Sequence, residues 1–153
     1  MTETPRLHRL SVQRSARYFT LGGDGDGHVR SVWYVLHGYR QLADRFIERF
    51  RELASPARRI VAPEALNHFY LEDRATHGPH GPSAPVGATW MTRHDREVEI
   101  ADYVAYLDRL DETIAPGRDV RSPIRRAKRR TASSPASVIV ETSRVSFTAA
   151  RGK

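Results

Sequence analysis

The chain has 153 residues, 39% of them apolar and 28% charged, a size that suits one small domain with its own core. No run approaches the roughly 18 consecutive apolar residues of a membrane span, and no apolar core follows the first residues as in a secretory signal. The expectation is a cytoplasmic protein without a membrane span. Cysteine is absent, which excludes disulfides, thiolate metal sites and a cysteine nucleophile. The formal net charge of +7 is lopsided, because residues 1–117 carry 15 Lys and Arg against 16 Asp and Glu, whereas residues 118–153 carry 10 against 2.

Residues 1–16 show no period and read as a lead-in. The stretch RYFTLGG, 17–23, is a short β-rich run closed by glycines. DGDGH, 24–28, is a turn cluster. VRSVWYVLH, 29–37, reads as a second strand, apolar enough at its end to be buried on both faces. From Leu42 to Ala54 the spacing predicts a helix. Leu42, Phe46, Phe50 and Leu53 make one stripe with Ala43 and Ile47 beside it, and Arg45, Glu48, Arg49 and Glu52 lie outside it. Ser55-Pro56 stops it. RRIVAPEAL, 58–66, predicts a third strand ended by Pro63, with Glu64 as a residue of that strand end.

Residues 67–89, rich in Gly, Pro and His, read as a loop. A second helix is predicted from Asp95 to Ile114, with Ile100, Tyr103, Val104, Leu107, Leu110 and Ile114 on one face. Ala115-Pro116-Gly117 ends it. A helix placed this way normally returns the chain to a parallel strand. Near residue 118 the sequence instead turns basic and aperiodic, and only 136–149 looks strand-like again.

Four stretches, VWYVLHGYRQLADRF, RIVAPEAL, FYLE and TWMTRHDREVEIADYVAYLDRL, together carry a resemblance. Residues 17–114, nearly two-thirds of the chain, resemble the N-terminal part of the phospholipase/carboxylesterase branch of the serine α/β-hydrolases. The resemblance implies an α/β fold, partial here: the first strands of a mostly parallel sheet, two helices and a basic irregular tail. It divides the chain into a lead-in at 1–16, a partial hydrolase domain at 17–117 and a tail at 118–153. It also implies a small-molecule carboxylic ester as substrate, with a small or medium acyl chain.

In that family the strand ending in His-Gly feeds the oxyanion hole. Ester hydrolysis passes through a tetrahedral oxyanion, at which rigid backbone N–H donors must be aimed. Glycine lets the backbone turn sharply there. By resemblance, His37 and Gly38 shape the turn, the Tyr39 N–H is the donor, and Trp90 lines the pocket. His37 also suits a turn histidine bonded to backbone, and Trp90 and Met91 suit ordinary packing. The family usually has a second glycine where Arg40 stands, so Arg40 is expected to narrow or recharge the rim.

A serine hydrolase of this type also needs G-x-S-x-G on a strand-to-helix turn, followed by an Asp and a His. The 153 residues contain no G-x-S-x-G. GPSAP, 81–85, precedes the second helix instead of following it. Ser143 in VETSRV lacks the small neighbours of a nucleophile turn. No histidine follows His94. The expectation is a chain without a triad, inactive alone. A change of coding frame or a join to unrelated sequence near Pro116 would account for the abrupt change there. The alternative is a natural family member with a basic tail. Without a central strand the sheet is expected to keep an open edge and uncovered apolar faces, with 136–149 as a substitute strand.

Two other readings use other residues. Arg121, Arg125, Arg126, Lys128, Arg129 and Arg130 suit charge neutralisation of nucleic acid or another polyanion. With only Phe147 nearby, base stacking is not indicated, and a solvated disordered tail is the blander reading. His77 and His80, with His68 or His94, have a spacing that can chelate zinc. The prolines around them favour a polar loop, and no metal or cofactor is expected.

Overall fold

A computed structural model describes residues 3–24, 29–71 and 80–114, together with the backbone of 138–143. Six strands and two helices follow in chain order: β1 Tyr18–Leu21, β2 Ser31–Leu36, α1 Ala43–Ile47, β3 Arg58–Pro63, β4 Asn67–Tyr70, β5 Val86–Thr89, α2 Arg96–Ile114 and β6 Val138–Ser143. The helix expected at Leu42–Ala54 is α-helical only over α1. It tightens into a 3-10 segment at Glu48–Leu53, whose three-residue turns carry the stripe outward from buried Ile47 to exposed Leu53.

The larger sheet has the order β1-β3-β2-β6. Its centre is the parallel pair β2 and β3, with Trp33 opposite Ile60, joined through α1 as a crossover requires. Both flanks are antiparallel: β1 sets Tyr18 opposite Pro63, and β6 sets Val138 opposite Leu36 and Ser143 opposite Ser31. Among the described strands this sheet is therefore mixed, not mostly parallel. β6 falls inside the stretch expected to be strand-like and takes the free edge of β2. The other residues of 118–153 lie outside the described ones.

Burial of β2 on both faces follows its alternation. Val32, Tyr34 and Leu36 pack with Val61 of β3 against Tyr103, Leu107 and Leu110 of α2. Val35, with Ile60 and Ala62 of β3, packs on the other face against Ala43, Phe46 and Ile47. Each fully buried aliphatic or aromatic side chain here is worth about 1.5–3 kcal/mol. The result is a three-layer α/β arrangement with α1 and α2 on opposite faces. The predicted apolar face of α2 is the one that packs. Asp111 joins it by accepting the Tyr34 hydroxyl at 2.8 Å inside the core. Gly22 closes β1 at φ +71°, where a Cβ would stand 2.6 Å from the Arg58 carbonyl oxygen.

Residues 67–89 correct the loop reading. They contain the antiparallel pair β4 and β5, with Asn67 opposite Thr89 and Tyr70 opposite Val86. Residues 72–79 between them lie outside the described ones. No helix among the described residues is long and apolar enough to cross a membrane.

Candidate functional site

The C-terminal ends of β2 and β3 meet at one turn. His37 is 1% exposed. The Ala65 N–H donates to its Nε2 at 3.0 Å, so that nitrogen carries no proton. Its Nδ1–H then donates to the Gly38 carbonyl oxygen at 2.9 Å. The ring is thereby fixed as one neutral tautomer. Burial holds its pKa below the ordinary histidine value, outweighing the Gly38 carbonyl and the Glu64 charge, which pull the other way.

The backbone beyond His37 is tied down on several sides. The Gly38 N–H donates to Gln41 Oε1 at 2.9 Å. The Arg40 N–H donates to the Ala88 carbonyl at 3.0 Å, and the Ala88 N–H donates back to the Gln41 carbonyl at 3.2 Å. β5 is thus strapped to the turn. The contact is close enough to require glycine at 87, where a Cβ would lie 2.5 Å from the Arg40 carbonyl oxygen. Arg40 itself has φ 68°, alone among the described non-glycine residues in the left-handed region. Such a residue costs on the order of 1–3 kcal/mol and persists only where its surroundings hold it. The conformation is one that glycine adopts freely.

Between these engaged groups the Tyr39 N–H finds no acceptor among the described residues, and Tyr39 is 55% exposed. Its ring stacks on Phe69 of β4 at 5.4 Å. Trp90 supports the turn from within. Its Nε1–H donates to the His37 carbonyl at 2.9 Å, and its ring lies 5.3 Å from His37 and 5.8 Å from Tyr103. Met91 accepts the Thr89 hydroxyl at its carbonyl.

Sequence reasoning missed the importance of Glu64. Its side chain is 1% exposed. Oε1 accepts from Arg17 Nε at 2.8 Å, from Arg17 Nη2 and from His68 Nε2 at 2.7 Å, while Oε2 accepts the Ala43 N–H at 3.1 Å. Burial alone would raise its pKa. The bonds from His68, Arg17 and Ala43 win and hold the carboxyl below the usual carboxylate range. The last bond also caps α1, whose preceding residue Leu42 offers no side-chain cap. The Arg17 carbonyl accepts both the Glu64 N–H and the Tyr106 hydroxyl, each at 2.9 Å. Glu64 therefore positions the turn instead of serving as an exposed acid or base. A Pro-Glu pair at a strand end gives no local sign that Arg17, 47 residues earlier, will close on it.

The histidines of the metal reading are engaged differently: His68 bonds Glu64, and His80 stacks on Tyr70 at 4.6 Å. No cluster of three or more metal-ligating side chains occurs among the described residues. His77, the basic run Arg121, Arg125, Arg126, Lys128, Arg129 and Arg130, and Phe147 lie outside them, and Ser143 is described only as backbone of β6. No family model, curated protein or solved structure matches the chain.

Proposed function

We propose that residues 17–114 are the oxyanion-hole-bearing part of a carboxylesterase- or phospholipase-type α/β-hydrolase fold. One observation carries this reading: a donor with no partner among the described residues, the Tyr39 N–H, stands on a turn whose neighbouring groups are fixed by Ala65, β5 and Trp90. Preorganised donors of this kind stabilise charge as it develops on an ester carbonyl, because they need no reorganisation when the oxyanion forms. The neutral His37 tautomer, buried and fully bonded, suits a role in shaping the turn and not in proton transfer. The substrate class that fits is a carboxylic ester.

The sequence holds neither G-x-S-x-G nor a histidine after His94. The proposal therefore makes this chain one side of a hydrolytic site, silent by itself. Short p-nitrophenyl esters test it. No turnover above a denatured control is expected from the chain alone. Turnover is expected when a C-terminal half bearing G-x-S-x-G, Asp and His from a hydrolase of that branch is supplied. In the reconstituted pair, Tyr39→Pro removes the donor and should lower kcat by about 10²–10³-fold. Turnover by the chain alone, or a reconstituted site indifferent to Tyr39→Pro, would overturn the reading.

A further inference from the structure

The unexplained feature of the turn is the choice of arginine at residue 40. The position asks for glycine: φ is 68°, the N–H is committed to Ala88, and the carbonyl presses against Gly87. The longest cationic side chain instead occupies the strained site. The Arg40 side chain is exposed and makes no ion pair, hydrogen bond or ring contact among the described residues. Two described carboxylates of this end of the sheet are already engaged. Asp44 accepts the Arg45 N–H at 2.7 Å, and Glu64 holds Arg17, His68 and Ala43. His37, kept neutral, adds no charge. A strained residue held by its surroundings, its side chain without a partner among the described residues, points outward to a ligand.

We infer that Arg40 is a specificity-determining residue that selects esters carrying an anionic group, a carboxylate or a phosphate, beside the ester carbonyl. This rests on the oxyanion-hole reading and names its substrate class. Arg40 follows the Tyr39 donor directly. A carbonyl oxygen on the Tyr39 N–H therefore brings the substrate's short arm within reach of a guanidinium whose backbone cannot drift. Guanidinium is the side chain best shaped to take carboxylate or phosphate with paired N–H donors. A glycine at this position would leave the same donor without charge selection.

Binding to the full-length chain tests this without any need for turnover. Three esters serve as probes in ¹⁵N-correlated NMR titrations: neutral methyl acetate, monomethyl succinate and 2-acetoxyethyl phosphate. The Tyr39 amide reports the oxyanion donor, and the Arg40 Nε–H reports the anion contact. At low salt the anionic esters should bind about tenfold more tightly than methyl acetate and move both signals, the tighter of the two telling carboxylate from phosphate. Arg40→Gln should remove the preference while the Tyr39 amide still responds. Arg40→Gly, which suits the backbone better, should do the same and guards against a misfolded variant. Equal binding of all three esters, with the Tyr39 amide moving, would overturn the inference and leave the oxyanion reading standing. Anionic esters that move only the Arg40 signal would support the anion contact and overturn the oxyanion reading. No response of either signal would overturn both.

Discussion

Two arginine–carboxylate pairs tie distant parts of this chain together, and they differ in almost everything but chemistry. Arg17 reaches Glu64, whose carboxylate is buried and takes further bonds from His68 and the first N–H of α1. Arg9 reaches Asp95 at 2.8 Å with both side chains about half exposed, and among the described residues it is an isolated side-chain link from the exposed segment at residues 3–16, which has no helix or strand. The first pair sits where two strand ends, a helix start and the candidate site converge. The second lies on the surface before α2. The same two functional groups should thus be decisive in one place and nearly silent in the other, because both arginines are exposed but only the Glu64 carboxylate is buried and depends on its partners, whereas Asp95 is open to solvent.

The largest effect expected is from Glu64→Ala. It uncaps α1, orphans the Ala43 N–H and frees Arg17 and His68 together. Loss of a buried carboxylate with its partners costs about 3 kcal/mol. The urea midpoint should fall accordingly with little change in slope, and the Tyr39 amide should shift, since the turn loses its support. If Glu64→Ala left stability unchanged, the contrast between the two regions would collapse.

Next comes Gly87→Ala. The new methyl would meet the Arg40 carbonyl oxygen at 2.5 Å and Leu71 Cδ2 at 2.8 Å, and the first of these is backbone held in place by β5. Overpacking of this kind costs about 1–3 kcal/mol. The damage should be local, seen as faster amide exchange at Arg40 and Ala88 while β2 and β3 stay protected.

Acid should weaken the same region in two stages. His37 has a depressed pKa in the fold, so the unfolded chain binds its proton first, and stability falls as pH drops below the ordinary value of 6.5. Glu64 is also depressed, so its contribution is complete above its ordinary value of 4.5 and is lost as pH falls through the folded value. Melting temperature against pH should decline through the first window and more steeply through the second. His37→Asn should flatten only the first, and Glu64→Gln only the second. A profile that Glu64→Gln leaves intact would show that another group carries the acid limb.

Arg40→Gly tests the strain itself. Relief of the left-handed conformation should raise stability by about 1 kcal/mol, net of the extra freedom glycine has when unfolded. A loss of stability would mean that the Arg40 side chain makes a stabilising contact.

Much of the frame was legible because its signals are periodic. The run SVWYVL is apolar at every position that needs burial, and α2 repeats its apolar face over five turns, so β2, α2 and the strand end at His37-Gly38 emerge from pattern alone. β4 and β5 did not emerge. Each is four residues long, one half-exposed and one containing Gly87, set among prolines and histidines that mimic a loop. α1 was over-extended because its stripe continues through a 3-10 segment, where 3.6- and 3-residue spacings are hard to tell apart over two turns. Glu64 was undervalued because a buried carboxylate is created by its partners, and those sit at residues 17, 43 and 68. Local sequence shows which backbone ends in a turn. It does not show which charge that turn will be built around.

The smallest effect expected closes the comparison from its other side. Arg9→Ala breaks the bond to Asp95, yet Asp95 stays hydrated and needs no replacement partner. The Arg9 hydrogen bond holds the Asp95 carboxyl below the usual range, so its loss should return that pKa toward 3.8, measurable by NMR titration. The urea midpoint should not move within error, and raising the salt concentration in the unaltered chain should have the same null effect, because screening removes an exposed pair as surely as mutation does. The segment at 3–16 should respond instead, with faster amide exchange once its link to Asp95 is cut. A clear fall in global stability on Arg9→Ala would mean that this segment, with Leu7, Leu10 and Val12 exposed along it, contributes to the fold through packing that exposure alone does not reveal.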